Sequence, residues 1–123
     1  MRGRVLGVDG GFLTVELDGG ALIRSRHGEG LEAGDQVVVV VRQEHLQLGS
    51  GDESGLNRVS GKAHQSVFLG GLSSVDVMIA GEQRLTAKSL KFAQPVPENG
   101  AATHLVWDST NTLVYAPNGP DAA

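Results

Sequence analysis

Glycine-rich turns recur at short, fairly even intervals along this sequence, and they leave space for only short segments between them. These segments alternate apolar with polar residues or contain runs of β-branched residues, which is typical of strands. Helical periodicity is poor throughout, and no helix N-cap precedes a long amphipathic run. The strand candidates are residues 3–8, 12–17, 21–25, 36–42 and 46–48, then 60–68, 73–79, 83–87, 102–108 and 113–115. The sequence therefore predicts an all-β fold, either a sandwich or a barrel.

The two halves of the chain repeat the same order of features. Gly3-Arg-Val opens the first half and Gly61-Lys-Ala opens the second, while Gly34 corresponds to Gly100. Each half offers five strand candidates, which is what a small five-stranded barrel of the OB type needs. We predict two tandem OB-like halves at residues 1–48 and 57–117, joined by a Gly/Ser-rich linker at 49–56 and followed by a flexible tail at 118–123.

Composition narrows the classes of protein to which the chain can belong. It has 123 residues, a formal net charge of −4 and no cysteine, so disulfides, zinc–thiolate sites and thiol catalysis are excluded. The lysines and arginines are scattered, whereas a nucleic-acid-binding protein normally shows a basic stripe. No apolar run approaches the roughly 20 residues that span a bilayer. We expect a cytoplasmic domain that neither binds nucleic acid nor inserts into a membrane.

The sequence contains no complete catalytic or cofactor motif. Residues 55–62 resemble a phosphate loop, but the spacing is one residue too long and Ala63 stands where a Mg²⁺-binding hydroxyl is needed. No G-x-S-x-G motif occurs. The histidines lack metal-site spacing; they are His27, His45, His64 and His104. We predict that the chain is not an enzyme and has no cofactor and no metal.

Aliphatic residues must fill most of the core, because the chain has only three Phe, one Tyr and one Trp. Residues 37–41 are all valine, which predicts a strand buried on both faces. Arg42 and Glu44 follow it on one face of an extended chain, placed to form an ion pair or to hydrogen-bond a neighbouring turn. The predicted core comprises Val5, Val15, Leu17, Val39 and Val41 in the first half, and Val75, Val77, Leu105 and Trp107 in the second.

One stretch of the first half resembles a known family. This chain has Gly34-Asp-Gln-Val, followed by Val-Arg-Gln-Glu-His-Leu at residues 41–46. The pattern is similar to a G-D-x-V…V-R-P-E-x-L signature that occurs in the C-terminal regulatory region of ATP-binding-cassette importer ATPases. The most similar of these ATPases import polyamines, iron(III) or sugars. Gln43 stands where the signature has proline. The difference is conservative for the fold, because proline at that position only stiffens the exit of the strand.

The second half extends the resemblance. Residues 57–63 and the Phe-Leu-Gly of residues 68–70 are similar to the opening of a TOBE domain, and Gly100 with Leu-Val-Trp-Asp at 105–108 is similar to its close. Ala101 stands where the TOBE pattern usually has an acidic residue after the glycine. The motif positions are Arg42, Glu44, Asn57, Gly61, Phe68, Leu69, Gly70, Trp107 and Asp108. Phe68 and Leu69 are expected in the core, and Gly70-Gly71 in a turn.

The resemblance implies a regulatory or dimerisation domain of an importer ATPase, without its own nucleotide site because Walker A and Walker B motifs are missing. The implied partners are the nucleotide-binding domain of that ATPase, a second copy of this chain, or both. The implied location is cytoplasmic, peripheral to the inner membrane through the parent transporter.

Two alternatives remain open. An oxyanion-binding module of the molybdate or tungstate type shares the OB-like fold and is often duplicated. Its S-A-R-N opening loosely matches residues 54–57, and its donors would be Ser54, Asn57, Arg58 and Lys62. A single-stranded nucleic-acid binder of the OB type is less compatible, because a basic groove with interleaved aromatic residues is missing.

Overall fold

The structure is a computed structural model that describes residues 1–26, 30–80, 83–92 and 94–117, with only the backbone of Leu69. The predicted tail at 118–123 and His27 lie outside the described residues. The regular elements of the described residues are strands and two short 3₁₀ helices, which confirms the predicted all-β, OB-like fold. Within the part described, no helix is long and apolar enough to cross a membrane.

The strands follow the turn signals closely. They are β1 (Arg2–Asp9), β2 (Phe12–Leu17), β3 (Leu22–Ser25), β4 (Gln36–Val40), β5 (Gln47–Gly49), β6 (Asn57–Leu69), β7 (Leu72–Ile79), β8 (Gln83–Ser89), β9 (Ala102–Trp107) and β10 (Leu113–Tyr115). The 3₁₀ helices are η1 (Gln43–His45) and η2 (Ser109–Asn111). Glycines occupy the turns because residues there adopt positive φ, as at Gly70 and Gly71.

The chain forms two compact units, and unit 1 contains Met1–Val41 together with the segment that starts at Ser109. Its sheet has the strand order β10-β4-β1-β2-β3, with antiparallel pairs throughout. The buried Ser25 hydroxyl donates a 3.1 Å hydrogen bond to the carbonyl oxygen of Thr112, which joins β3 to the segment before β10. The buried core of this unit comprises Val5, Leu13, Val15, Leu17, Ile23, Val37, Val39 and Val114.

Unit 2 contains Arg42–Asp108 and has the equivalent strand order, β5-β9-β6-β7-β8. Its long central strand, β6, pairs with β7 on one side and β9 on the other. Trp107 is 2% exposed at the end of β9. The rest of the core comprises Leu46, Leu48, Val59, Ala63, Val75, Val77, Ile79, Ala87, Leu105 and Val106.

Each unit obtains its fifth strand from the other half of the sequence. β5 follows β4 along the chain but pairs with β9, and β10 follows β9 but pairs with β4. The predicted division at 1–48 and 57–117 is therefore wrong at these strands. Residues 50–56 join β5 to β6 within unit 2, so they are a loop of that unit and not a linker between two halves.

The register of the strands supports the predicted internal repeat. Gly3 pairs with Leu17 and Gly61 with Ile79, and a β-bulge follows two residues later in both strands. In unit 1, the N–H of Gly34 donates to the carbonyl of Val5 at 2.8 Å. In unit 2, the N–H of Gly100 donates to the carbonyl of Ala63 at 2.6 Å.

The same repeat explains why Ala101 is tolerated. At the equivalent position Asp35 accepts a 2.9 Å hydrogen bond from the N–H of Glu32 through its carboxylate. Alanine lacks that acceptor, but the backbone turn is maintained by a 3.0 Å hydrogen bond from the N–H of Ala101 to the carbonyl of Glu98.

Most of the predicted core is confirmed, and two side chains differ, Val41 and Phe68. The side chain of Leu69, also predicted in the core, lies outside the described residues. Val41 is half-buried because it lies just beyond the end of β4, whereas Val37 within that strand is 2% exposed. The valine run is fully buried on one face only, because on the other face Val38 is half-buried and Val40 is 41% exposed. The prediction that Phe68 lies in the core is wrong. Its side chain is 69% exposed, since it lies next to the β6–β7 turn opposite Ser73.

Candidate functional site

The loop at residues 50–56 converges on the carboxylate of Glu53. The N–H of Ser50 donates to Oε2 at 2.8 Å and the Ser50 hydroxyl donates to the same oxygen at 3.1 Å, while the N–H of Gly51 donates to Oε1 at 3.1 Å. Gly51 has φ of 98°, a conformation that favours glycine. Two successive backbone N–H groups therefore point toward one anion.

Arg58, near the start of β6, attaches this loop to the sheet. Its Nη2 donates a 2.6 Å hydrogen bond to the carbonyl oxygen of Glu53 and lies 3.8 Å from Oε1 of the same residue. Its Nε is buried and has no hydrogen-bond partner among the described residues. One guanidinium thus holds the loop while retaining an unused donor.

The neighbouring residues restrict the loop further. A Cβ on Gly49 would lie 2.7 Å from Val106 Cγ1 and 3.0 Å from Glu53 Oε1, so the carboxylate packs over a position that admits no side chain. A Cβ on Gly51 would lie 3.3 Å from Nε2 of His104, whose Nδ1 is 2.8 Å from the hydroxyl of Ser60.

These hydrogen bonds change the acidity of Glu53. The bond from the Ser50 N–H is the largest of several that lower the pKa of Glu53 to about 2, from an ordinary value of 4.5. The folded state therefore favours the charged carboxylate. Its contribution to stability is present above pH 4.5 and is lost as the pH falls from 4.5 toward 2.

We expect the Glu53→Gln variant to lack this part of the acid dependence. The wild-type chain should lose stability between the unfolded and folded pKa values of Glu53, and the variant should show a shallower decline because its amide does not titrate. Urea unfolding near neutral pH and near the folded pKa measures the difference, with Glu32→Gln as a control for loss of an exposed carboxylate. Equal slopes in wild type and Glu53→Gln would contradict the assignment.

The structure does not gather the predicted oxyanion donors into one cluster. Ser54 is exposed in the loop, while Asn57 is 6% exposed and faces inward at the start of β6. Arg58 is occupied by Glu53. Lys62 lies four residues beyond Arg58, about 13 Å along the strand. Arg58 and Lys62 do share the outer face of β6, because side chains alternate along a strand.

The predicted family-motif positions are spread across unit 2. Arg42 precedes η1 and Glu44 lies within it, both exposed, and they form no ion pair in the part of the chain that is described. The predicted ion pair between Arg42 and Glu44 required an extended chain, and the chain leaves that conformation at η1. Asn57 is the register partner of Trp107. Gly61, Phe68, Leu69, Gly70 and Asp108 lie in β6, in the turn after it or just beyond β9.

Sequence reasoning misses Glu53, Ser50 and Gly51, because a polar, Gly-rich stretch is typical of a flexible segment. A signal is available in the Ser-x-x-Glu spacing of residues 50–53, in which a glutamate side chain can reach back to the N–H of the serine. No three acidic or histidine side chains are grouped to hold a metal ion within the described ranges.

Comparison with known proteins identifies the family. Residues 39–114 match the TOBE domain, which covers more than half of the chain. The chain belongs to the TOBE domain family. A TOBE domain is a binding or regulatory module and not an enzyme, as the sequence predicts. No curated protein matches the sequence.

A solved structure agrees with this TOBE domain over nearly its whole length. The cytoplasmic molybdate-binding protein ModG, in a crystal form with molybdate bound, superposes with a TM-score of 0.79 and covers 94% of each chain. The two sequences are 21% identical. This similarity establishes that the two proteins share a fold.

Proposed function

We propose that this TOBE domain binds a tetrahedral oxyanion of the molybdate or tungstate type. The observation that carries the proposal is the agreement in fold, over 94% of both chains, with a protein whose structure holds molybdate. The cytoplasmic location expected from the sequence also matches the description of ModG. Function on a shared fold depends on local side chains, so the distribution of charge in this chain decides where an oxyanion can bind.

The outer face of unit 2 carries two cations, Lys62 and Arg84, that form no ion pair among the described residues. Lys62, Met78 and Arg84 form one row across β6, β7 and β8. In the equivalent row of unit 1, Arg4 lies 3.9 Å from Glu16. Methionine in place of that glutamate leaves unit 2 with positive charge available to attract a dianion.

The cavity of about 400 Å³ in unit 1 is less suitable for such a ligand. Arg2 and Arg4 line it, but so do Glu16 and Asp18. Two carboxylates in the wall would repel an oxyanion, so the charge distribution favours unit 2.

Calorimetry on the full chain tests the proposal. We expect tungstate and molybdate to bind with roughly micromolar affinity and sulfate to bind more weakly, and we expect saturating tungstate to raise the unfolding temperature. Chloride at equal ionic strength is the control for general screening of charge. Absence of both binding heat and thermal stabilisation with tungstate would overturn the proposal.

A second candidate is the regulatory domain of an importer ATPase. The exposed positions of Arg42 and Glu44 favour it, because side chains that contribute nothing to the core are available to a partner. That partner would be the ATPase nucleotide-binding domain or a second copy of this chain. Measurements on the same samples distinguish the two candidates. A regulatory domain should give no heat of binding when tungstate or molybdate is added. Its mass, measured by light scattering, should rise with protein concentration.

A further inference from the structure

The Glu53 carboxylate lies among groups that proteins use to hold anions. We propose that residues 50–53 and Arg58 form an oxyanion site that the chain's own Glu53 closes, and that a tetrahedral oxyanion such as tungstate binds there when Glu53 is displaced. This inference rests on the proposed function for the chemical class of the ligand. It goes further by assigning the site and a residue that controls access to it.

The backbone supplies the first part of the site. The successive N–H groups of Ser50 and Gly51 donate to different oxygens of the carboxylate, and the Ser50 hydroxyl adds a third donor. Consecutive N–H groups that point the same way form a concave site for anions in many proteins. The positive φ of Gly51 maintains this geometry, so the donors are arranged before any ligand arrives.

Arg58 supplies the second part. Its Nη2 already lies 3.8 Å from Glu53 Oε1, which is too long for a good charge-assisted hydrogen bond. Its Nε is buried with no partner among the described residues. Oε1 accepts only from the Gly51 N–H and retains a free lone pair, but the loop holds it too far from the guanidinium to accept from Arg58. A tetrahedral oxyanion on the same loop donors has two further oxygens in other directions, which can accept from the unused donor of Arg58.

The covalent attachment of Glu53 makes it a strong competitor for the site. A tethered group acts at an effective concentration in the millimolar range, so a free oxyanion binds only to the fraction of molecules in which the carboxylate has left. Removal of the carboxylate should consequently raise the affinity for an oxyanion while leaving the backbone donors in place.

Titration calorimetry of the full chain with tungstate tests this inference. We expect Glu53→Ala to bind tungstate at least about tenfold more tightly than wild type, with Glu53→Gln between them because its amide still fills the loop. Adding Arg58→Gln to Glu53→Ala should abolish the gain. Glu32→Gln removes an exposed carboxylate from unit 1 and should leave the affinity unchanged, which separates a local effect from a change in net charge.

The outcomes separate this inference from the proposed function. If wild type and the Glu53 variants bind tungstate equally, the site assignment is overturned and the function stands. If only the Glu53 variants bind, the site stands and the function of the natural chain is overturned. If none binds, both are overturned. Should the Glu53 variants fail to fold, Ser50→Ala and Arg58→Gln in the wild-type background must weaken tungstate binding at least severalfold, and unchanged affinity overturns the assignment.

Discussion

Replacing Gly61 with alanine is expected to destabilise unit 2 by about 3 kcal/mol or more. A Cβ at this position would overlap the carbonyl oxygen of Met78 and would lie 3.0 Å from the Cα of Ile79. Both neighbours are backbone atoms of β7, so the clash cannot be relieved by rotating a side chain. The sheet would have to separate where β6 and β7 pair, at the centre of unit 2.

Gly7→Ala is the matched control, because Gly7 also lies in a strand, the equivalent β1. Apart from Gly7 and its two chain neighbours, no residue has an atom within 4 Å of the place that the added methyl group would take. We expect that variant to stay within about 0.5 kcal/mol of wild type. Urea unfolding followed by circular dichroism gives both values, and amide hydrogen exchange identifies the unit that is affected. Similar unfolding midpoints for the two variants would show that β6 and β7 can move apart without cost.

Two overlapping fragments are expected to behave in opposite ways. Residues 42–108 contain every strand of unit 2 and should fold, whereas residues 57–117 should not. The second fragment lacks β5, together with the buried side chains of Leu46 and Leu48, and it carries β10 without its partner β4. Loss of two buried leucines costs about 3–6 kcal/mol, which is comparable to the whole stability of so small a unit.

Circular dichroism, urea unfolding and amide exchange of the two fragments provide the measurement. Residues 42–108 should show a cooperative transition and protected amides in β6, β7 and β9. Residues 57–117 should show neither. A cooperative transition in residues 57–117 alone would mean that the exchanged strand is dispensable and that the sequence-based boundaries describe an independent domain.

The strands could be predicted because glycine positions and valine alternation are local signals. The exchange of β5 and β10 could not be predicted, because each is a three-residue strand after a 3₁₀ helix in which only the middle residue is buried. So short a segment carries no local signal for the sheet that it joins. Hydrophobicity alone predicts that Phe68 lies in the core. Its exposure depends on how far β6 extends past the buried part of the sheet, which no local pattern encodes.

The candidate site was less predictable than the fold. Three of the donors around Glu53 come from Ser50 and Gly51, and two of these are backbone N–H groups that any residue except proline possesses. Their convergence depends on the dihedral angles of the loop and on Arg58 reaching back from β6. Residue types alone indicate a flexible, solvated segment, because they do not report which backbone groups meet.

The strand exchange has a consequence for synthesis on the ribosome. Val40 pairs with Leu113, so one side of β4 has no partner until 73 further residues (113 − 40) have been made. At roughly 5–20 residues per second, that interval lasts about 4 to 15 s. Unit 2 is complete as soon as Asp108 has emerged, although it starts later. The N-terminal unit therefore begins first and finishes last, and during that interval the nascent chain presents an open strand edge to chaperones and to other nascent chains.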